Sequence, residues 1–141
     1  MQITRQADYA VRAVLYLAQQ PPESLVTTSQ IARERHIPPT FLAKIMSQLS
    51  AAGVVHAARG AHGGVQMARS PADISLLDVV EVIDGPMLLN ECVADRQRCP
   101  LGPNCAVHDV WCQAQAELVE RLERTKFSSL ALAVEPEPSS G

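Results

Sequence analysis

Residues 27–67 read TTSQIARERHIPPTFLAKIMSQLSAAGVVHAARGAHGGVQM, and the order of signals inside this stretch decides the fold. Thr27, followed three positions later by Gln30, has the spacing of a capping box, and Ile31-Ala32 come next, so a short helix starts near Thr28 and closes around His36. Pro38-Pro39 suit the first turn of a second helix, which runs from Thr40 to Ala52 and stops at Gly53. Along that helix Leu42, Ile45, Met46 and Leu49 form a buried stripe, while Thr40, Lys44, Ser47 and Ala51 share the opposite face. Two helices separated by about a four-residue turn, the second presenting small polar and basic groups, make a helix-turn-helix candidate. The run Val54 to Met67 then reads as strand, glycine-rich turn and strand. A hairpin after the second helix, with Arg59 at its tip, is the order of a winged helix. Gly60, Gly63 and Gly64 permit positive φ and close backbone approach, which serves either simple turning or a tip that lies against a sugar-phosphate wall.

Working outward, residues 4–18 predict a helix, because Ile3, Ala7, Ala10, Val14 and Leu17 recur at alternating steps of four and three, and Val11 and Leu15 widen the stripe. Pro21-Pro22 end it. Downstream, Ser75 with Asp78 starts another helix that runs through Ile83 to Gly85-Pro86. Residues 90–106 form a loop, in which Pro100, Gly102 and Pro103 prevent regular structure. The longest helix spans about Cys105 to Lys126, with a stripe of Val107, Trp111, Ala114, Leu118 and Leu122 that predicts a covering helix from a second copy of the chain. Phe127 to Val134 forms a short terminal helix, and residues 135–141 read as a disordered tail. The expected class is mainly α with a small β-hairpin wing. Residues 1–70 form a winged helix-turn-helix unit, and 71–134 carry the cysteine loop and dimerisation helices.

At 141 residues and 15.2 kDa, with 47% hydrophobic and 19% charged residues, the chain is too small for a large multi-domain enzyme and has the composition of a soluble globular protein. No apolar run reaches the roughly 18 residues that span a bilayer, and the N-terminus lacks a secretory pattern, so the expected location is the cytoplasm, with no membrane partner. The net charge of −3 hides an asymmetry: residues 1–70 carry seven Lys/Arg against three acids, leaving five basic and twelve acidic residues in 71–141. Such a split is expected where one half meets a polyanion.

All four cysteines lie in Cys92-x6-Cys99-x5-Cys105-x6-Cys112, with His108 between the last two. In a reducing compartment this cluster points to a metal site or redox switch rather than a disulfide framework. Thiolates bind soft metals and iron-sulfur clusters, and the close C-x2-4-C pairs of a zinc knuckle do not occur, so the spacing favours iron-sulfur over zinc. Cys112 could instead be a small buried hydrophobe on its helix.

Four segments in order are similar to the bacterial IscR/NsrR/RirA family of winged-helix transcriptional regulators. They are Asp8-Tyr9-Ala10-Val11-Arg12-Ala13, the Arg59-Gly60-x-x-Gly63-Gly64 wing, Ala72-Asp73-Ile74-Ser75-Leu76-Leu77-Asp78-Val79-Val80, and Cys99-Pro-Leu-Gly-Pro-Asn-Cys105-x-x-His108-x-x-Trp111. The resemblance covers the chain up to its tail. It implies a homodimer on palindromic double-stranded DNA, with a cluster held by Cys92, Cys99 and Cys105. It also implies a fourth ligand that differs among members: an aspartate matching Asp8, supplied by the other subunit to a 4Fe-4S cluster in nitric-oxide-sensing members, or a histidine matching His108 on a 2Fe-2S cluster in the cluster-assembly regulator. Both residues are present here. Taken only as a helix residue, Asp8 could equally pair with Arg5 or Arg12, and His108 could merely cap or pack the long helix.

On DNA, the resemblance places Arg59 in the minor groove, where a narrow A·T-rich site concentrates negative potential. Thr40, Lys44, Ser47 and Gln48 would meet base edges and phosphates, with Thr28, Ser29, Gly60, His62 and Gly63 completing the DNA-facing set. Members resembling the cluster-assembly regulator carry a glutamate where this chain has Ala43, so their operator preference does not carry over. The expected function is a dimeric, non-enzymatic repressor-type regulator that senses nitric oxide, redox stress or iron and cluster supply. Two alternatives are a regulator that senses through thiol oxidation without a cluster, and, from another class, a small iron-sulfur electron-transfer protein. The latter is disfavoured by the absence of a nucleotide-binding glycine motif or a nucleophile-base constellation.

Overall fold

The computed structural model of the chain describes residues 2–58, 63–89 and 106–133. Within them run α1 (Arg5–Ala18), α2 (Thr28–Arg35), α3 (Pro39–Ala51), β1 (Val55–Ala58), β2 (Gly64–Met67), a 3-10 turn (Pro71–Asp73), α4 (Leu76–Asp84), α5 (Ala106–Arg124) and α6 (Phe127–Leu132). This is the mainly helical architecture with a two-stranded antiparallel wing that the sequence predicts. The tail and the cysteine loop fall outside the described residues.

Helix α1 is the axis on which the other helices close. Thr4 caps it, its hydroxyl oxygen accepting from the Ala7 amide at 3.1 Å. The same hydroxyl donates to Asp84 at the end of α4 at 2.5 Å, and the Thr4 amide donates to the other Asp84 oxygen at 3.2 Å. A carboxylate therefore sits at the positive end of α1. Because Thr4 is the cap, Ile3 lies outside the helix and is 50% exposed, and the buried stripe begins one turn later at Ala7. The stripe continues through Ala10, Ala13, Val14 and Leu17.

The α2–α3 pair folds much as its local signals dictate. Thr27 accepts from the Gln30 amide at 3.1 Å, but the Gln30 side chain does not return to close a box. It donates instead to the hydroxyl of buried Tyr16 at 2.7 Å, a group that needs a partner once removed from water. At Ser75 the reciprocal box does close: the Asp78 amide donates to the Ser75 hydroxyl and the Ser75 amide donates to the Asp78 carboxylate. His36 ends α2 in the left-handed region (φ 54°, ψ 47°), and the Ile37 amide donates back to Ala32 at 3.0 Å, sending buried Ile37 beneath the turn. Pro39 opens α3, whose Leu42, Ile45, Met46 and Leu49 are buried as expected.

In the wing, β1 and β2 pair from Val55–Met67 to Ala58–Gly64, and on the other edge of β2 Val26 bridges to Val65 by two hydrogen bonds (2.9 and 2.7 Å). A Cβ on Gly64 would lie 3.0 Å from the Val26 carbonyl oxygen and 3.2 Å from the Leu25 Cβ. The missing side chain there serves an approach within the protein, not a turn.

The chain's end returns to this core. The Leu76 amide donates to Thr125 at 2.8 Å and the Phe127 amide to Ile74 at 3.1 Å, so Phe127 enters fully buried beside Ile74, Val79 and Val14. Leu118, Val119 and Leu122 of α5 pack on a second cluster of Ala7, Leu77, Val80 and Met87. The expected stripe is thus covered from within the chain over its C-terminal half, because α4 lies alongside it. Val107, Val110 and Trp111 in the N-terminal half remain 53%, 59% and 41% exposed.

Truncating Phe127 to alanine leaves a cavity where the terminal helix docks, with an expected loss of about 3–5 kcal/mol of stability. Urea denaturation should show the midpoint falling; an unchanged midpoint would mean that α6 contributes nothing to the core.

Candidate functional site

One surface is built by α2 and α3. Thr28 and Ser29 open α2, and Thr40, Lys44 and Ser47 stand along α3; all five are exposed. The stripe of buried leucine, isoleucine and methionine on the inner side of α3 forces these residues outward, so their arrangement follows from helical period alone. Between the two helices lies a groove of about 490 Å³, lined by Thr28, Ser29, Arg33, Ala43 and Met46 among others. Lys44 makes no ion pair among the described residues, and Arg33 only a loose one with Glu34 at 4.0 Å, leaving both cations for an outside anion. Gln48 departs from its neighbours: it is half-buried and its Oε1 is enclosed without a hydrogen-bond partner. Gly63 is half-buried just before β2. Arg59, Gly60 and His62, the remaining wing residues, lie outside the described residues.

A second group links α1 to this surface. Asp8 pairs with Arg12 one turn on at 2.6 Å, with both side chains about half exposed, so the pair contributes only a few tenths of a kcal/mol. The Arg12 guanidinium lies 5.6 Å from the centre of the Tyr9 ring, and Tyr9 packs at a tilt against Phe41 of α3, ring centres 6.1 Å apart. Of the two arginines offered by the sequence, Asp8 takes Arg12.

The third group occupies one face of α5. His108 is 4% exposed in the first turn, its Nε2 lies 3.2 Å from the Cys112 Sγ, and its Nδ1 is buried with no partner. One further turn along, the Gln115 side-chain carbonyl accepts from the Leu89 amide at 2.9 Å while its amide donates to the Met87 carbonyl. The Met87 amide in turn donates to Glu81 of α4 at 3.2 Å. Positions 108, 112 and 115 share one helix face, and Gln115 holds residues 87–89, the upstream border of the cysteine segment, against that helix; the downstream border is the start of α5 itself. Cys92, Cys99 and Cys105 themselves lie outside the described residues, and among the described residues no three metal-binding side chains come together. Sequence reasoning missed Gln115 and Glu81. Their spacing relative to His108 and Met87 was readable, but their partners are backbone groups distant in sequence, which no side-chain pattern announces.

Comparisons with known proteins bear on the whole chain. The Rrf2 family, described as iron-dependent transcriptional regulators, matches residues 3–133. The regulator NsrR of Shouchella clausii is 32% identical over 133 residues, covering 94% of this chain and 89% of its own. Among solved structures, the T. potens IscR superposes with a TM-score of 0.76 at 25% identity, over 100% of this chain and 94% of its own. CymR, the global cysteine regulator of B. subtilis, superposes with a TM-score of 0.83 at 24% identity, over 96% and 99%, a likeness of fold. No helix among the described residues is long and apolar enough to cross a membrane.

Replacing Gln115 by alanine removes both clamps on residues 87–89. Since one such bond is worth about 0.5–1.5 kcal/mol, amide exchange at Leu89 should accelerate by about tenfold in a hydrogen-exchange experiment. Unchanged protection would assign the border of the segment to another anchor.

Proposed function

The chain belongs to the Rrf2 family of transcriptional regulators, and from that membership we propose that it is a cytoplasmic, homodimeric, repressor-type regulator of palindromic DNA governed by an iron-sulfur cluster. Its family and neighbours are regulators rather than enzymes. The observation that carries the reading is the Gln115 clamp that holds the upstream border of the cysteine segment on α5, a helix that packs through Leu118, Val119 and Leu122 on a cluster of Ala7 of α1, Leu77 and Val80 of α4, and Met87. Recognition helix α3 packs on the same α1, through the cluster that contains Ala10, Val14 and Ile45. A disturbance at the cysteines would therefore reach the α2–α3 surface through α5, α4 and α1 packed in series.

On DNA, Thr40, Lys44, Ser47 and Gln48 meet base edges and phosphates from α3, and Thr28 and Ser29 at the N-terminus of α2 meet the backbone, where free amides favour a phosphate. Arg59 enters the minor groove, with Gly60, His62 and Gly63 around it. A second copy covers the exposed edge of Val107, Val110 and Trp111, which places two reading heads about one helical turn apart, roughly 34 Å on the duplex.

The donor set fits a cluster. Three thiols within residues 92–105 are the soft ligands that iron favours, and the buried His108 Nδ1, which has no hydrogen-bond partner, offers a fourth donor. Cys92, Cys99 and Cys105 hold the cluster, of 4Fe-4S or 2Fe-2S type, with either Asp8 of the partner subunit or His108 as fourth ligand. When bound, the cluster supplies iron that exchanges electrons or takes nitric oxide; the regulated signal is nitric oxide, redox stress or iron supply.

Anaerobically purified protein is expected to contain iron and acid-labile sulfide, to lose both when any of Cys92, Cys99 and Cys105 becomes alanine, and to retard a palindromic operator at least tenfold differently with and without them. Iron-free protein whose DNA affinity follows peroxide treatment would establish thiol sensing in its place. Lys44→Ala should weaken DNA binding on all sequences alike and lower the log-log salt slope by about 0.9; a loss confined to particular base pairs would show that Lys44 reads bases.

A further inference from the structure

Resting on the cluster reading above, we propose that Cys112 is a positioning residue: its sulfur accepts the His108 Nε2 proton and thereby presents the lone pair of Nδ1 to iron. The cysteine stands outside the three-thiol set and is half-buried one turn after His108, with Sγ 3.2 Å from Nε2. The independent observation is the histidine itself, 96% enclosed (4% exposed), with its second nitrogen buried and without a partner.

A neutral imidazole carries one N–H and one lone pair, so the Cys112 contact settles what the other nitrogen offers. If the thiol donated to Nε2, the ring proton would sit on Nδ1 as a buried donor with nothing to receive it, and the ring could not ligate. If Nε2–H donates to sulfur, Nδ1 exposes a lone pair, and a buried lone pair on imidazole is suited to a borderline metal such as iron. Ligating histidines as a rule have their other N–H held by an acceptor that fixes tautomer and ring plane. Here the acceptor is a sulfur on the same helix at i+4, so the ring is fixed by the backbone of α5 and needs no partner from another element.

The test uses the full chain, reconstituted anaerobically with iron and sulfide, carrying 15N-labelled histidine and reduced to its paramagnetic state. Pulsed electron paramagnetic resonance should show one strongly coupled histidine nitrogen in the wild type and none in His108→Ala. In Cys112→Ala the coupling should weaken or split into a mixture, and cluster loss to a chelator should accelerate about 10–100-fold. Cys112→Ser, whose hydroxyl can accept the same proton, should restore both. Equal coupling and equal loss rates in wild type and Cys112→Ala would overturn the proposal. So would Cys112→Ala and Cys112→Ser chains that fold, by circular dichroism, yet take up no cluster, since Cys112 would then itself be a ligand. A wild-type cluster without histidine coupling would overturn it and leave Asp8 as fourth ligand, with the cluster reading intact. Wild-type protein without iron and sulfide would remove that reading itself.

Discussion

Ala7, Ala10 and Ala13 are completely buried along α1, and the room left by their short side chains is what lets other helices close on that one axis. Ala10 and Ala13 belong to the core that also holds Ile31, Leu42, Ile45, Leu49 and Phe127, while Ala7 belongs to the cluster shared by α4 and α5. One helix thus divides its buried face between the core under α2 and α3 and the cluster against which α4 and α5 pack. Interiors packed at crystal-like density transmit displacement instead of absorbing it, so α1 cannot move for one neighbour without moving for the other. The tie from Thr4 to Asp84 fixes the register of that shared helix against α4.

Where the sequence was legible, the signals were local. The buried stripe of α3, the closed box at Ser75 and Asp78, the glycine stop near the end of α4 and the hairpin after the second helix all depend on neighbours within a few residues, and all appear in the structure. Where it was not, a distant partner decided. Gln30 had the spacing of a capping residue but turns to Tyr16, because a buried hydroxyl outbids a solvent-exposed amide. Gly64 looked like a turn glycine and is a strand residue under the Val26 carbonyl. The stripe on α5 looked uncovered over its whole length, since nothing in its periodicity tells that α4 lies against Leu118 and Leu122.

The candidate site divides in the same way. The outward set of Thr40, Lys44 and Ser47 followed from helical period, and the structure leaves these residues exposed. Gln48 shares that helix but sits nearer the core, where its Oε1 has lost water and gained no partner. His108 is the counterpart on α5. Two enclosed, unpaired polar atoms, one beside the reading surface and one beside the cysteine segment, are each a cost that packing alone does not explain. Asp8, by contrast, is satisfied by Arg12 at the surface, so removing it from that pair for another role sacrifices little.

The charge distribution gives the arrangement a direction. The reading half carries the excess of basic residues, whereas the outer surface of α5 exposes Glu117, Glu120 and Glu123, with Arg121 and Arg124 only in its last turns. A polyanion would be attracted to the basic half and repelled from the acidic face of the long helix, and the repulsion acts over about 8–10 Å at physiological salt. On the proposed reading, non-specific encounters would thereby be biased toward the α2–α3 face, and α5 would be kept off the duplex. The same cations at its last turn stabilise the helix end, where free carbonyls gather negative charge. An acidic long helix and a basic N-terminal half packed around one alanine-lined axis and α4 therefore keep opposite charges apart in a chain of 141 residues without separating their mechanics.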